Sequence, residues 1–148
     1  MERLSEDEAR LWHAWKRASD TVRARIGDDL ATATGLSDPE FGILTRLEDL
    51  GRGVLRQSEL ATSMGWHRSR LSHQLTRMEQ RGLVTRDSAS GTGVTVSITD
   101  AGRTMIATAR PVHAQSVKRH LLAQVPTDEL ARMTAILEAL TAPRNEAP

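Results

Sequence analysis

The chain has 148 residues, 39% of them apolar and 26% charged, with a formal net charge of +1, a length that suits one compact unit with an added association surface. Without a single cysteine, disulfides, thiolate metal sites and thiol-based redox sensing are excluded. The first residues are acidic and polar, and no apolar run approaches the ~20 residues that a bilayer requires, so no membrane partner is expected and the expected location is cytoplasmic.

One Phe, no Tyr and three Trp leave Leu, Ala, Met, Val and Ile to build the core, which favours a mainly α fold. Ser5 followed by Glu8 is the signature of a capping box. It predicts a long first helix to about Ala33, with Leu11, Trp12 and Trp15 on its apolar stripe and Gly35 as a left-handed end. Arg23, Arg25 and Asp28 break that stripe, as on a helix that is partly exposed or meets a second subunit. Ser37 and Glu40 repeat the box, and Pro39 fits a first turn. Ile43, Leu44, Leu47 and Leu50 then face inward until Gly51-Arg52-Gly53.

The next two segments carry the strongest signal. A short helix near Ser58–Met64 packs through Leu60, Ala61 and Met64. Gly65 permits a turn, with Trp66 anchoring it, and a second helix packs through Leu71, Leu75 and Met78. After Gly82, residues 83–87 and 94–98 are rich in β-branched or alternating residues and flank a Gly/Ser/Thr segment, which predicts a hairpin. Thr99 caps a further helix to about Ala123, interrupted or kinked by Pro111. Thr127 caps a last one with Leu130, Met133, Ile136, Leu137 and Leu140 on one side. The expected architecture is therefore mainly α with a small β-hairpin wing: a winged helix-turn-helix over 36–99, and a helical dimerisation region formed by 1–35 and 100–148.

Charge is concentrated on the motif. Residues 1–50 hold seven Arg or Lys against eleven Asp or Glu, residues 51–86 seven against two, and residues 87–148 six against six. A basic, hydroxyl-rich helix following a tight turn suits duplex DNA. Arg68, Ser69, Arg70, Ser72 and His73 are the candidates for base edges, and Arg56, Arg77, Arg81, Arg86 and Thr92 for phosphate oxygens. Arg81 has an alternative as the ion-pair partner of Glu48 or Glu79. His113 and His120, seven apart on one helix, are expected to be polar surface or cleft lining. They could respond to pH or metal only if a carboxylate came close, and no metal or other cofactor is expected. No nucleophile elbow, HExxH site or phosphate loop is present, so the chain does not read as an enzyme.

The run Ser58-Glu59-Leu60-Ala61, Arg68-Ser69-Arg70-Leu71-Ser72, Leu75, Arg77-Met78-Glu79, Arg81-Gly82-Leu83-Val84, Arg86 and Ile98-Thr99-Asp100-Ala101-Gly102-Arg103 resembles the MarR family of multiple antibiotic resistance regulators. The resemblance implies a homodimer with entwined terminal helices that binds a pseudopalindromic duplex site. It further implies repression, released when a small aromatic or phenolic ligand enters between the dimerisation and reader regions. By the same analogy Trp12, His13, Phe41 and Met64 are candidates for that cleft. One departure concerns the wing, Asp87-Ser88-Ala89-Ser90-Gly91-Thr92-Gly93-Val94. It lacks the arginine that the family commonly places in the minor groove, and binding weaker than that of a typical member is expected. The competing reading is a constitutive architectural DNA-binding protein without an effector.

Overall fold

Two reciprocal caps set where the first helices begin. In the computed structural model, which describes residues 2–88, 91 and 93–143, the Ser5 hydroxyl accepts from the backbone of Glu8, whose carboxylate accepts the Ser5 N–H at 2.7 Å. Helix α1 (Glu6–Thr34) follows and ends at Gly35, whose φ of 76° is left-handed. Ser37 and Glu40 form the second box and start α2 (Asp38–Gly51), with Pro39 in its first turn. Phe41, Ile43, Leu44 and Leu47 are buried as the spacing requires. Leu50, expected to face inward, is 63% exposed, because it falls in the last turn, where the helix has passed the edge of the core.

A short strand without periodic sign in the sequence, β1 (Val54–Arg56), follows and leads straight into α3 (Gln57–Met64). Gly65, at φ 64°, closes α3 and turns the chain into α4 (Arg68–Gln80). The hairpin β2 (Val84–Asp87) and β3 (Thr95–Ile98) is antiparallel, with Val84 opposite Ile98 and Asp87 opposite Thr95. Strand β1 pairs with the other edge of β3, Val54 opposite Ser97 and Arg56 opposite Thr95. The sheet therefore has the order β1-β3-β2. Three residues are too few for an alternation to show, and β1 exists because β3 offers it a free edge.

Thr99 caps α5 (Asp100–His120) through Gly102 N at 3.0 Å, and its hydroxyl also donates to the Gly82 carbonyl at 2.6 Å. A Cβ at Gly102 would collide with the Leu83 carbonyl and sit 2.8 Å from Ile98 Cγ1, so α5 crosses the sheet at a distance only glycine allows. Helix α5 runs unbroken through Pro111, which lies on its exposed side. It ends at His120, three residues short of the expected Ala123, and passes into a turn of 3-10 helix. Thr127 does not cap the last helix. It opens a 3-10 turn (Thr127–Glu129) without a side-chain cap bond, and α6 (Leu130–Thr141) starts after it.

The core joins α2, α3, α4, the sheet and the near side of α5 through Leu36, Ile43, Leu44, Leu47, Leu60, Leu71, Leu75, Met78, Val84, Val96 and Ile106. Helix α1 packs along α5 and buries only Ile26 and Leu30. Helix α6 buries none of its residues, and Ile136 and Leu140 stand in the open.

Candidate nucleic-acid interface and ligand cleft

Helix α4 is held from one side. Leu71, Gln74, Leu75 and Met78 are buried, and the period of 3.6 then sets Ser69, His73, Thr76 and Gln80 on the opposite face, all exposed. Ser72 and Arg77 border that row. Arg68 and Arg70, read from the sequence as one basic face with Ser69, lie on its two opposite flanks. Thr76 and Gln80 were not singled out in the sequence, although extending the helical period from Ser69 finds both.

The first turn of α4 is capped by His67, whose Nδ1 accepts from Ser69 N at 3.3 Å and lies 2.9 Å from the Ser69 hydroxyl. On one flank Arg68 joins Arg56, Gln57, Ser58, Gly93 and Val94 around a groove between α3, α4 and the base of the wing. Arg56 lies 4.0 Å from Glu59, a loose exposed pair that leaves its charge available. On the other flank the Arg70 guanidinium stacks over the Trp66 ring, 3.8 Å from its centroid, a cation–π contact worth about 0.5–2 kcal/mol according to its desolvation.

Three of the phosphate candidates are engaged within the chain. Arg77 donates to Gln74 Oε1 at 2.6 Å and remains exposed. Arg81 pairs with the buried Glu40, and also donates to the Gly35 carbonyl at 3.2 Å. Its partner is neither Glu48 nor Glu79, because α4 ends over the start of α2 and brings it to the capping-box glutamate. Arg86 pairs with Glu79 at 2.6 Å and donates to Thr76 Oγ1 at 2.8 Å and Ser72 Oγ at 3.4 Å. Ser72 is thereby drawn toward the wing base, and Arg86 braces the reader helix against β2. Thr92 lies outside the described residues, as do Ala89 and Ser90 of the wing.

The second feature is a cleft of about 560 Å³, within the size range of small-molecule sites. Of the four residues proposed for a ligand cleft, Phe41 and Met64 line it. Trp12 and His13 do not, since both are exposed on the N-terminal half of α1, while the cleft is reached by α1 only at Arg23 and Ile26. Arg23, the nearer of the two, lies ten positions beyond His13, or ~15 Å of helical rise. The sequence offered cleft lining as one reading of His113 but did not place Arg46 or Trp66 there; the three converge from α2, the α3–α4 turn and α5 and leave no local pattern to read. His113 stacks on Phe41 with centroids 4.3 Å apart and planes at 21°. Burial lowers the pKa of its ring, against a smaller opposing pull from Asp38, so the imidazole is neutral at neutral pH.

His120, by contrast, faces Asp29. Its Nε2 lies 2.8 Å from Asp29 Oδ2, which also accepts from Ser116 Oγ at 2.7 Å and lies 3.4 Å from an Arg119 nitrogen. The Ser116 and His120 hydrogen bonds lower the Asp29 pKa. The two histidines thus serve different places: one lines the cleft and one ties α5 to α1. Among the described residues no group of three His, Asp or Glu side chains converges as a metal site would require, and no helix is long and apolar enough to cross a membrane.

A helix-turn-helix with a flanking sheet and a polar, core-braced second helix defines a DNA-binding winged-helix protein. Residues 36–89 match the MarR family, and likeness to solved structures extends over nearly the whole chain. AbsC, a MarR family transcriptional regulator from Streptomyces coelicolor, is 27% identical, with a TM-score of 0.87 over 95% of this chain and 96% of that one. Sco3205, a MarR family regulator of the same organism solved in complex with DNA, shares the fold at 24% identity and a TM-score of 0.90, over 99% and 95% of the two chains. The organohalide-sensing regulator RdhR-CbdbA1625 in its 2,4-dichlorophenol-bound form shares it at 22% identity and 0.79, over 92% and 80%. No curated protein sequence matches the chain significantly. Residues 36–89 thus carry the winged helix-turn-helix of the MarR family, a DNA-binding unit, and over nearly its whole length the chain is similar to solved regulators of that family.

Proposed function

We propose that the chain works as a homodimeric repressor of transcription in the cytoplasm, binding a pseudopalindromic duplex site and releasing it when a small aromatic ligand occupies the cleft. The observation that carries the DNA reading is the exposed row Ser69, His73 and Thr76 on a helix whose opposite face is locked in the core. Such a helix enters a major groove as a rigid body, with Arg70 and Ser72 at the edges of its reach toward bases. Arg56, Arg68 and Arg77 are then the phosphate contacts. Arg81 and Arg86 act mainly by holding α4 in place, since their guanidinium groups are already committed to Glu40 and Glu79.

Symmetry is supported by the unburied apolar side chains of α1 and α6, among them Leu11, Trp12, Trp15, Ile136 and Leu140. Joining these faces in two copies would remove them from water and hold two reader helices side by side. The ligand reading is supported by the cleft itself and by the neighbour with 2,4-dichlorophenol bound.

Selection of binding sites from random duplexes tests the whole reading at once. The expected result is a two-fold-related site whose half-site centres lie about 10 base pairs apart. A pool without consensus would return the protein to the constitutive architectural class, and a monomer both free and on DNA would overturn the dimer.

A further inference from the structure

The hydroxyl groups of the exposed row on α4 are oriented from within the chain. His67 Nδ1 accepts the Ser69 backbone N–H at 3.3 Å, and a ring nitrogen that accepts carries no proton of its own. The 2.9 Å contact between that nitrogen and Ser69 Oγ therefore has one sense: the hydroxyl donates to the ring. Other helical hydroxyls, such as those of Thr45 and Thr62, donate to a carbonyl of the preceding turn, whereas Ser69, in the first turn of α4, directs its proton to the residue that caps its own helix. What its oxygen offers a partner outside the chain is lone pairs. Thr76, two turns further along the same row, is in a like state, since its hydroxyl donates to the Ser72 carbonyl at 3.0 Å and accepts from Arg86 at 2.8 Å.

Base edges in a major groove offer both kinds of group. The amino groups of adenine N6 and cytosine N4 donate, whereas purine N7, guanine O6 and thymine O4 accept. A serine hydroxyl ordinarily turns to suit either kind. One whose proton is already engaged matches only the amino groups, because against N7 or O4 it would set lone pairs face to face. We propose that His67 fixes Ser69 as an acceptor, so that the first turn of the reader helix selects a major-groove amino group of adenine or cytosine. His67 is then a positioning residue, acting on the base through Ser69. This rests on the reading of α4 as the helix that enters the major groove, and adds the chemical group that Ser69 recognises and the residue that sets its direction.

The test uses the full chain and a duplex from the site selection, at mildly alkaline pH, where free imidazole is uncharged. Base analogues are introduced one position at a time. Replacing adenine by 2-aminopurine, or cytosine by 2-pyrimidinone, removes the major-groove amino group, while 7-deazaadenine and 7-deazaguanine remove N7. Fluorescence anisotropy then gives the affinities of wild type, Ser69→Ala, His67→Ser and His67→Asn. At one base of each half-site, loss of the amino group is expected to weaken wild type about fivefold and Ser69→Ala less than about twofold, as for one neutral hydrogen bond. Loss of N7 is expected to affect these two proteins alike. His67→Ser keeps a favoured helix cap on a shorter side chain that leaves the Ser69 hydroxyl free to turn to a neighbouring N7 or O4, so the amino effect is expected to fall below about twofold. His67→Asn, which puts a side-chain oxygen in place of Nδ1, is expected to restore it. A Ser69-dependent loss on removal of N7, in place of the amino group, would overturn the acceptor assignment. An amino effect undiminished in His67→Ser, or lost alike in both His67 variants, would overturn the part given to His67. If no analogue distinguished wild type from Ser69→Ala, the proposal would fall while analogues that weaken both proteins kept α4 as the reader; a site selection without consensus would remove that reading and the proposal together.

Discussion

The winged unit and the helices that flank it solve their packing differently. Between Leu36 and Ile98 nearly every large apolar side chain at a core-facing position is buried by the chain itself, helix α4 is fixed at both ends, and the wing base is tied to it through Arg86. The flanking helices instead leave Leu11, Trp12, Trp15, Ile136 and Leu140 in the open. The first region is closed by the chain itself, whereas the second leaves apolar surface open. In the proposed dimer the reading geometry would lie within one subunit and the spacing would be set by the contact between subunits.

The largest expected effect comes from breaking the second region without touching the first. Trp15→Glu combined with Ile136→Glu places charge on both exposed apolar helices. Light scattering should then report a single-subunit mass, and affinity for a two-half site should fall about 100-fold or more as the linked second contact is lost. Helicity and the cooperative melt of the winged unit should survive. A double variant that remains dimeric would show that the open faces of α1 and α6 are not where the subunits meet.

Within the winged unit, Gly102→Ala should be the most damaging small change. The added methyl group meets backbone at Leu83 and side chain at Ile98, and overpacking of this kind costs about 1–3 kcal/mol in a denaturant titration. Gly65→Ala, where the added carbon meets nothing within 4 Å, costs only the left-handed backbone, about 1 kcal/mol. If the two variants melted alike, the close crossing of α5 over the sheet would not be the reason for glycine at 102. Glu40→Ala should cost about 2 kcal/mol, since it removes both the reciprocal cap on α2 and the partner of Arg81. Because that pair fastens the end of α4, the same variant should weaken DNA binding on specific and scrambled duplexes alike.

The smallest effect sharpens the boundary between the two regions. Burial makes His113 bind its proton less readily in the folded chain than in the unfolded one. As pH falls below the ordinary imidazole value of about 6.5, the unfolded chain takes up this proton first and stability declines, levelling off once the folded ring is also protonated. His113→Phe keeps a ring against Phe41 and should flatten that part of the wild-type pH dependence. An unchanged slope would place its origin elsewhere, for example at Asp29, whose lowered pKa acts at more acid pH, where protonation removes what its hydrogen bonds contribute.

Much of the winged unit is legible in the sequence. Ser5–Glu8 and Ser37–Glu40 announced their helices because capping is a local exchange of hydrogen bonds over three residues. Leu71, Leu75 and Met78 announced the buried face of α4 because helical period is local too. Strand β1 was not legible, since its reason for existing is the free edge of β3 some forty residues later. The site divided in the same way. Ser69 and His73 could be placed on the reader by counting, whereas the partners of Arg81 and Arg86 could not be chosen among several nearby acids. Phe41 and Met64, named for a ligand cleft by analogy, both line the cleft beside α4. Trp12 and His13 do not: sharing α1 with Arg23 and Ile26 says nothing of how far along the helix the cleft extends.

By itself the sequence determined the α-helices and the β2–β3 hairpin, their order, the buried face of each winged-unit helix and the concentration of positive charge around the turn at Gly65. Those properties depend on neighbours within four residues or on totals over a segment. Only the tertiary structure decided that Arg81 belongs to Glu40, that Arg86 braces α4 against the wing base, and that Arg70 leans on Trp66 at the mouth of a cleft. Each of these rests on the crossing of elements distant along the chain. Long, flexible arginine side chains have several possible partners, and the packed core settles which one is within reach.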